Sequence, residues 1–102
     1  TVYHAKLLDS LIEKAVRKPG FSVVEVIAHC HTQYGRQNRL GTAVEMMEWQ
    51  RDHAVEAKKA AAMKPEELKD KVVIGVLVDK ELPVYQDEYE KIRERAKGTI
   101  GG

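Results

Sequence analysis

The sequence predicts an α/β fold, and three features carry the prediction. Residues 4–17 are amphipathic with helical spacing, two apolar runs rich in β-branched residues (21–28 and 72–78) have strand length, and helical spacing recurs between and after those runs.

In residues 4–17, Leu7, Leu8, Leu11, Ile12, Ala15 and Val16 recur at i, i+4 and i+8 in two adjacent rows, with Lys6, Asp9, Glu13, Lys14 and Arg17 opposite. Proline disfavours helical geometry at the residue before it, so Pro19 and Gly20 stop this helix. The run F-S-V-V-E-V-I-A lacks the alternation of a half-wet sheet and reads as a strand covered on both faces. Residues 31–41 form a loop punctuated by Gly35, Asn38 and Gly41.

Thr42 and Glu45 have the spacing of a capping box and open a long helix to about Met63, with Ala43, Met46, Met47, Ala54, Ala57 and Ala61 near one stripe. Pro65 starts a short helical turn. Residues 72–78, V-V-I-G-V-L-V, give a second buried-type strand in which Gly75 marks close backbone approach. Pro83 breaks the chain, Tyr85, Tyr89, Ile92 and Ala96 space a final helix, and Gly98 is its expected stop. Two strands alone are marginal in water. Further strands are expected from elsewhere in a longer parent polypeptide or from another subunit, and the non-methionine Thr1 agrees with a piece of something larger.

At 102 residues the chain supports one domain, expected to bury roughly 60 to 70 per cent of its unfolded surface. It is 43% hydrophobic and 32% charged with net charge +1, which supplies no basic face for nucleic acid or anionic membrane. No apolar run nears the ~20 residues of a membrane span. A single cysteine precludes an internal disulfide and suits the cytoplasm.

That cysteine, Cys30, lies between His29 and His31 where the first apolar run meets the basic loop. If the backbone is still extended there, Cys30 points opposite to both histidines, which opposes a single metal ion held by all three. A packed, buried thiol is the plain alternative. A nucleophile activated by nearby Arg36 and Arg39 lacks an orienting group. A thiolate at a strand's carboxyl edge can also be the distant fourth ligand of an iron-sulfur cluster. Arg36 and Arg39 are candidates for contact with an anion such as a phosphate or carboxylate, Arg36 the stronger.

Residues 20–41 (G-F-S-V-V-E-V-I-A-H-C-H-T-Q-Y-G-R-Q-N-R-L-G), V-E-M-M-E-W at 44–49 and V-V-I-G-V-L-V-D-K-E-L-P-V-Y at 72–85 resemble the C-terminal part of the β subunit of 2-oxoacid:ferredoxin oxidoreductases. The 2-oxoglutarate type, 2-oxoglutarate synthase, is the nearest group, and C-x-T-Q-Y-G-R-x-N is the most specific stretch. The resemblance implies that residues 1–41 finish a thiamine-diphosphate-binding α/β domain and that 42–102 are a helix-strand-helix C-terminal extension.

It further implies a complex that oxidises a 2-oxoacid with coenzyme A and passes electrons to ferredoxin, using thiamine diphosphate, Mg2+ and a 4Fe-4S cluster. Cys30 takes the position of the fourth cluster ligand, and Arg36 that of a tentative cofactor-binding anion contact. His31 stands where many members have proline. The other three cysteines and the diphosphate motif have no counterpart here, so the isolated chain is expected to be inactive, to carry no cofactor and to be capable of self-association. The expected partners are the rest of the β subunit, an α subunit with γ and δ subunits as further candidates, ferredoxin and coenzyme A. The rival reading is a small non-catalytic interaction module whose cysteine is structural.

Overall fold

The structure, a computed structural model, describes residues 1–100. A 3-10 turn, Val2–His4, leads into α1 (Ala5–Arg17), the first helix the apolar rows predict. It stops as expected, with Lys18 extended ahead of Pro19 and Gly20 turning the chain at φ +87°. No residue of α1 is buried, and Val16 is 81% exposed.

Residues 21–28 are not a strand, which corrects the sequence reading. Phe21 and Val23 are well exposed. A strand needs a neighbour to take up its N–H and C=O groups, and no described strand lies beside this run. It is held instead at one carbonyl, where Ile27 O accepts from Val2 N–H at 3.0 Å and from Gln50 Nε2 at 3.5 Å.

The long helix over 42–63 is also corrected. Its start is as predicted: Glu45 N–H donates to Thr42 Oγ1 at 3.3 Å and Thr42 N–H donates to the Glu45 carboxylate at 2.6 Å. Those two Thr42 groups, the amide first, hold the Glu45 carboxyl below its usual range. Helix α2 (Ala43–His53) then gives way to strand β1 (Ala54–Glu56) and a single helical turn, α3 (Ala57–Ala60). Helix propensity yields there to a tertiary pairing. Strand β1 runs parallel to β2 (Val72–Ile74), with Ala54 opposite Val72, Val55 opposite Val73 and Glu56 opposite Ile74, and α4 (Pro65–Leu68) lies in the crossover with Pro65 in its first turn.

Strand β2 is shorter than the apolar run that contains it, and neither strand is buried on both faces. Gly75 takes φ +105° and ends β2; a Cβ there would meet nothing within 4 Å, so it serves a turn and not a close approach. Helix α5 (Tyr85–Ile100) continues through Gly98, overturning the predicted stop. A glycine inside a helix costs only about 1 kcal/mol.

Helices with a two-stranded parallel sheet are an α/β composition, but little of it is packed. The buried apolar side chains among the described residues are Met46 and Ala60, joined by Gln50. The accessible surface is 8752 Å², against about 5,800 Å² for a compact monomer of this mass. The radius of gyration is 20.8 Å, against about 13 Å for a compact domain of this length. The chain therefore hides roughly half of its unfolded surface, less than the sequence-based expectation.

Residues 76–84 are tethered to α1 and to the residue that follows it by Asp79, which accepts from Lys14 Nζ at 2.7 Å and Lys18 Nζ at 2.5 Å. The two ammonium groups, Lys14 first, lower the Asp79 carboxyl from 3.8 to about 2. Because the folded value lies below the unfolded one, the tether is complete above the unfolded value of 3.8 and is lost as pH falls through about 2. We expect the amide NMR shifts of Val76 and Leu77 to follow that titration and to weaken in added salt. Asp79→Asn should remove this pH dependence, and an unchanged titration in the variant would exclude the tether.

Candidate functional site

The segment carrying Cys30 is wound, where the sequence suggested an open loop. A π-helical turn, His31–Gly35, follows Cys30 and continues as helix through Arg36 and Gln37. Local bonds close it: Gly35 N–H donates to Cys30 O at 2.8 Å, and the Asn38 N–H and Nδ2 donate to Tyr34 O at 3.0 and 2.8 Å. Arg39 then adopts φ +55° and Gly41 φ +84°, reversing the chain into α2. Gly35 is buried against α2, where a Cβ would stand 2.6 Å from Met46 Sδ and 3.3 Å from Cys30 O.

This winding puts the thiol at the start of a turn. The Thr32 hydroxyl oxygen lies 3.8 Å from Cys30 Sγ, and Gln33 and Tyr34 follow on the same turn. The backbone of Tyr34 first, then that of Gln33 and the Thr32 hydroxyl, hold the thiol below its ordinary pKa, and burial opposes them only weakly because the side chain is exposed. The result is an accessible thiol biased toward thiolate, the form that binds metals. The packed, buried cysteine considered from sequence is thereby corrected.

His29 and His31 stack with ring centroids 5.9 Å apart, and the buried Nδ1 of His29 has no partner among the described residues. Among the described residues, no three His, Cys, Asp or Glu side chains are placed to hold one metal ion, so a His29, Cys30 and His31 site is not formed. Arg36 lies on the turn that follows Cys30, exposed, with its N–H bonded to Gln33 O. Neither Arg36 nor Arg39 makes an ion pair among the described residues.

Sequence reasoning missed Gln50. It is 3% exposed, its Oε1 accepts from Tyr3 N–H at 3.1 Å and its Nε2 donates to Ile27 O, so it joins α2, the N-terminal turn and the segment leading to Cys30. Its position four residues after Met46, on the buried face of α2, is the signal that could have found it. Gln50→Ala should destabilise the chain by about 1–3 kcal/mol by stranding a buried amide. Urea unfolding measures this, and an unchanged midpoint would show that Gln50 does not hold the segments together.

A four-iron cluster takes four ligands, typically thiolates, and amide N–H bonds to the ligating sulfur tune it. Cys30, exposed and the one cysteine of the sequence, fits as one corner, and the other corners would have to come from outside the described residues. Thiamine diphosphate and magnesium do not fit: the described residues offer no set of carboxylates for the ion and no glycine-rich diphosphate cradle.

Fold and site together describe an α/β chain with long exposed apolar stretches and one accessible, acidified thiol. Across 98% of its length it is 34% identical to the 2-oxoglutarate synthase subunit KorB of Methanothermobacter marburgensis, covering 35% of that protein. It is equally identical, at 34%, to the subunits of the same name from Methanocaldococcus jannaschii, over 95% of the chain and 36% of the relative, and Methanothermobacter thermautotrophicus, over 81% and 29%. The resemblance read from the motifs is therefore real and spans nearly the whole chain, which matches a C-terminal part of these relatives. The chain spans about a third of the length of the curated relatives it matches. No family model and no solved structure matches it. Among the described residues no helix is long and apolar enough to cross a membrane.

Proposed function

We propose that the chain is part of the β subunit of a 2-oxoacid:ferredoxin oxidoreductase of the 2-oxoglutarate synthase type, with Cys30 as the fourth ligand of a 4Fe-4S cluster. The supporting observation is the coincidence of two independent facts. The similarity to KorB subunits covers nearly the whole chain, and its one cysteine stands exposed at the start of a turn, with a thiol held below its ordinary pKa. In the complete complex the reaction is the coenzyme A-dependent oxidative decarboxylation of a 2-oxoacid, 2-oxoglutarate first among the candidates, with electrons leaving to ferredoxin. When bound, the cluster supplies a one-electron store between the site of decarboxylation and ferredoxin.

The chain's own part is to position. The backbone of Tyr34 and Gln33 favours negative charge on Cys30 Sγ, Gly35 lets the turn seat on α2, and Gln50 anchors the residues before the thiol. Arg36, unpaired on the same turn among the described residues, is an anion contact suited to a coenzyme A phosphate or a substrate carboxylate. The test is ferredoxin reduction by the assembled complex: it should require both 2-oxoglutarate and coenzyme A. No reduction with any 2-oxoacid would overturn the reading.

A further inference from the structure

Helix α5 is unpartnered, and its sequence says what can cover it. Tyr85, Tyr89, Ile92, Ala96 and Thr99 recur at alternating spacings of four and three, the seam of a coiled coil. Tyr85, Tyr89 and Ile92 are 74%, 50% and 53% exposed, and among the described residues α5 has no substantial packing contact with another element. Thr99 donates its hydroxyl to Arg95 O at 3.0 Å, so its polar group is already satisfied within the helix.

We infer that α5 pairs with α5 of a second copy of this chain as a short antiparallel coiled coil. Two complementarities select that occupant and that direction. Antiparallel pairing sets Tyr85 against Ala96 of the partner subunit and Tyr89 against the partner's Ile92, large against small at the ends of the seam. A parallel pair would stack tyrosine on tyrosine and leave a gap between alanines, against the packing density of protein interiors. Antiparallel pairing also brings Glu88 beside Arg95 of the partner subunit, twice by symmetry.

Arg95 makes no ion pair within its own chain among the described residues, whereas Glu88 and Arg93 hold Lys91 and Glu90 at 2.6 Å. Those intrahelical pairs are exposed and weak, so they do not prevent Glu88 from turning to a partner. The inference uses nothing at Cys30, so it stands or falls apart from the proposed redox role.

The test uses the chain with Cys30→Ser, which leaves no other thiol. Tyr85→Cys and Ala96→Cys chains, mixed and oxidised, should yield mainly the mixed 85–96 disulfide, with little cross-linking from a Lys97→Cys control. Glu88→Arg should weaken association in analytical ultracentrifugation by about 5-fold or more, as should Arg95→Glu. The double variant Glu88→Arg/Arg95→Glu should restore it, which rules out misfolding as the cause. Preferential Ala96→Cys self-cross-linking would instead establish a parallel pair. Cross-linking no faster than that of Lys97→Cys, or sedimentation as a monomer at all concentrations, would overturn the pairing.

Discussion

Cys30→Ala in the complete subunit complex should abolish the cluster's broad visible absorption and lower ferredoxin reduction by more than about 100-fold. The magnitude follows from a comparison: even groups hydrogen-bonded to a metal ligand cost about 10–100-fold when removed, and Cys30 is proposed as a ligand itself. The result is interpretable because Cys30 contributes little to the fold. Its side chain is exposed, and its one side-chain hydrogen bond among the described residues is to Thr32. Far-ultraviolet circular dichroism should therefore be unchanged while the chromophore disappears. Full visible absorption in Cys30→Ala would assign the ligand to another residue.

Gly35→Ala should impair the same site through packing. The added methyl would meet Met46 Sδ at 2.6 Å and Cys30 O at 3.3 Å. Overpacking of this kind costs about 1–3 kcal/mol. The loss of glycine's freedom in the unfolded chain returns only about 0.4–1 kcal/mol, so the net effect is destabilising. The Met46 thioether can swing aside, but Cys30 O belongs to the backbone that carries the thiol. Relief on that side must shift the backbone at Cys30 and with it the thiol's place beside the turn. We therefore expect a lower urea midpoint together with a raised thiol pKa, read from the pH dependence of alkylation. Met46→Ala in the same chain should recover part of the stability, since the two positions touch. A Gly35→Ala protein with unchanged midpoint and thiol reactivity would remove Gly35 from the site.

What could be read in advance divides along a physical line. Features governed by local sequence were legible: the apolar rows of α1, the Pro19-Gly20 stop, the Thr42 and Glu45 cap and the turn at Pro65 all depend on neighbours within a few residues. Features decided by distant partners were not. Alanines 54 and 57 looked like one helix until β2 offered backbone pairing to β1. Residues 21–28 carry strand composition, yet strands are made by pairing, and no described strand pairs with them.

The site shows the same division. Cys30 and Arg36 were singled out by residue type and motif. The lowered thiol was not visible, because backbone groups have no sequence signature and the π-helical turn with Gly35 against Met46 is a matter of the folded chain. Gln50 was overlooked because a glutamine in a helix reads as surface until its two hydrogen-bonding partners are known.

The proposed role of Cys30 Sγ is that of a ligand to iron. An anomalous-scattering map of the intact complex, collected across the iron absorption edge, measures that directly. We predict an iron peak at bonding distance from Cys30 Sγ, with cysteines from outside these residues on the other corners; a cluster fully ligated elsewhere, with Cys30 as a free thiol, would contradict it.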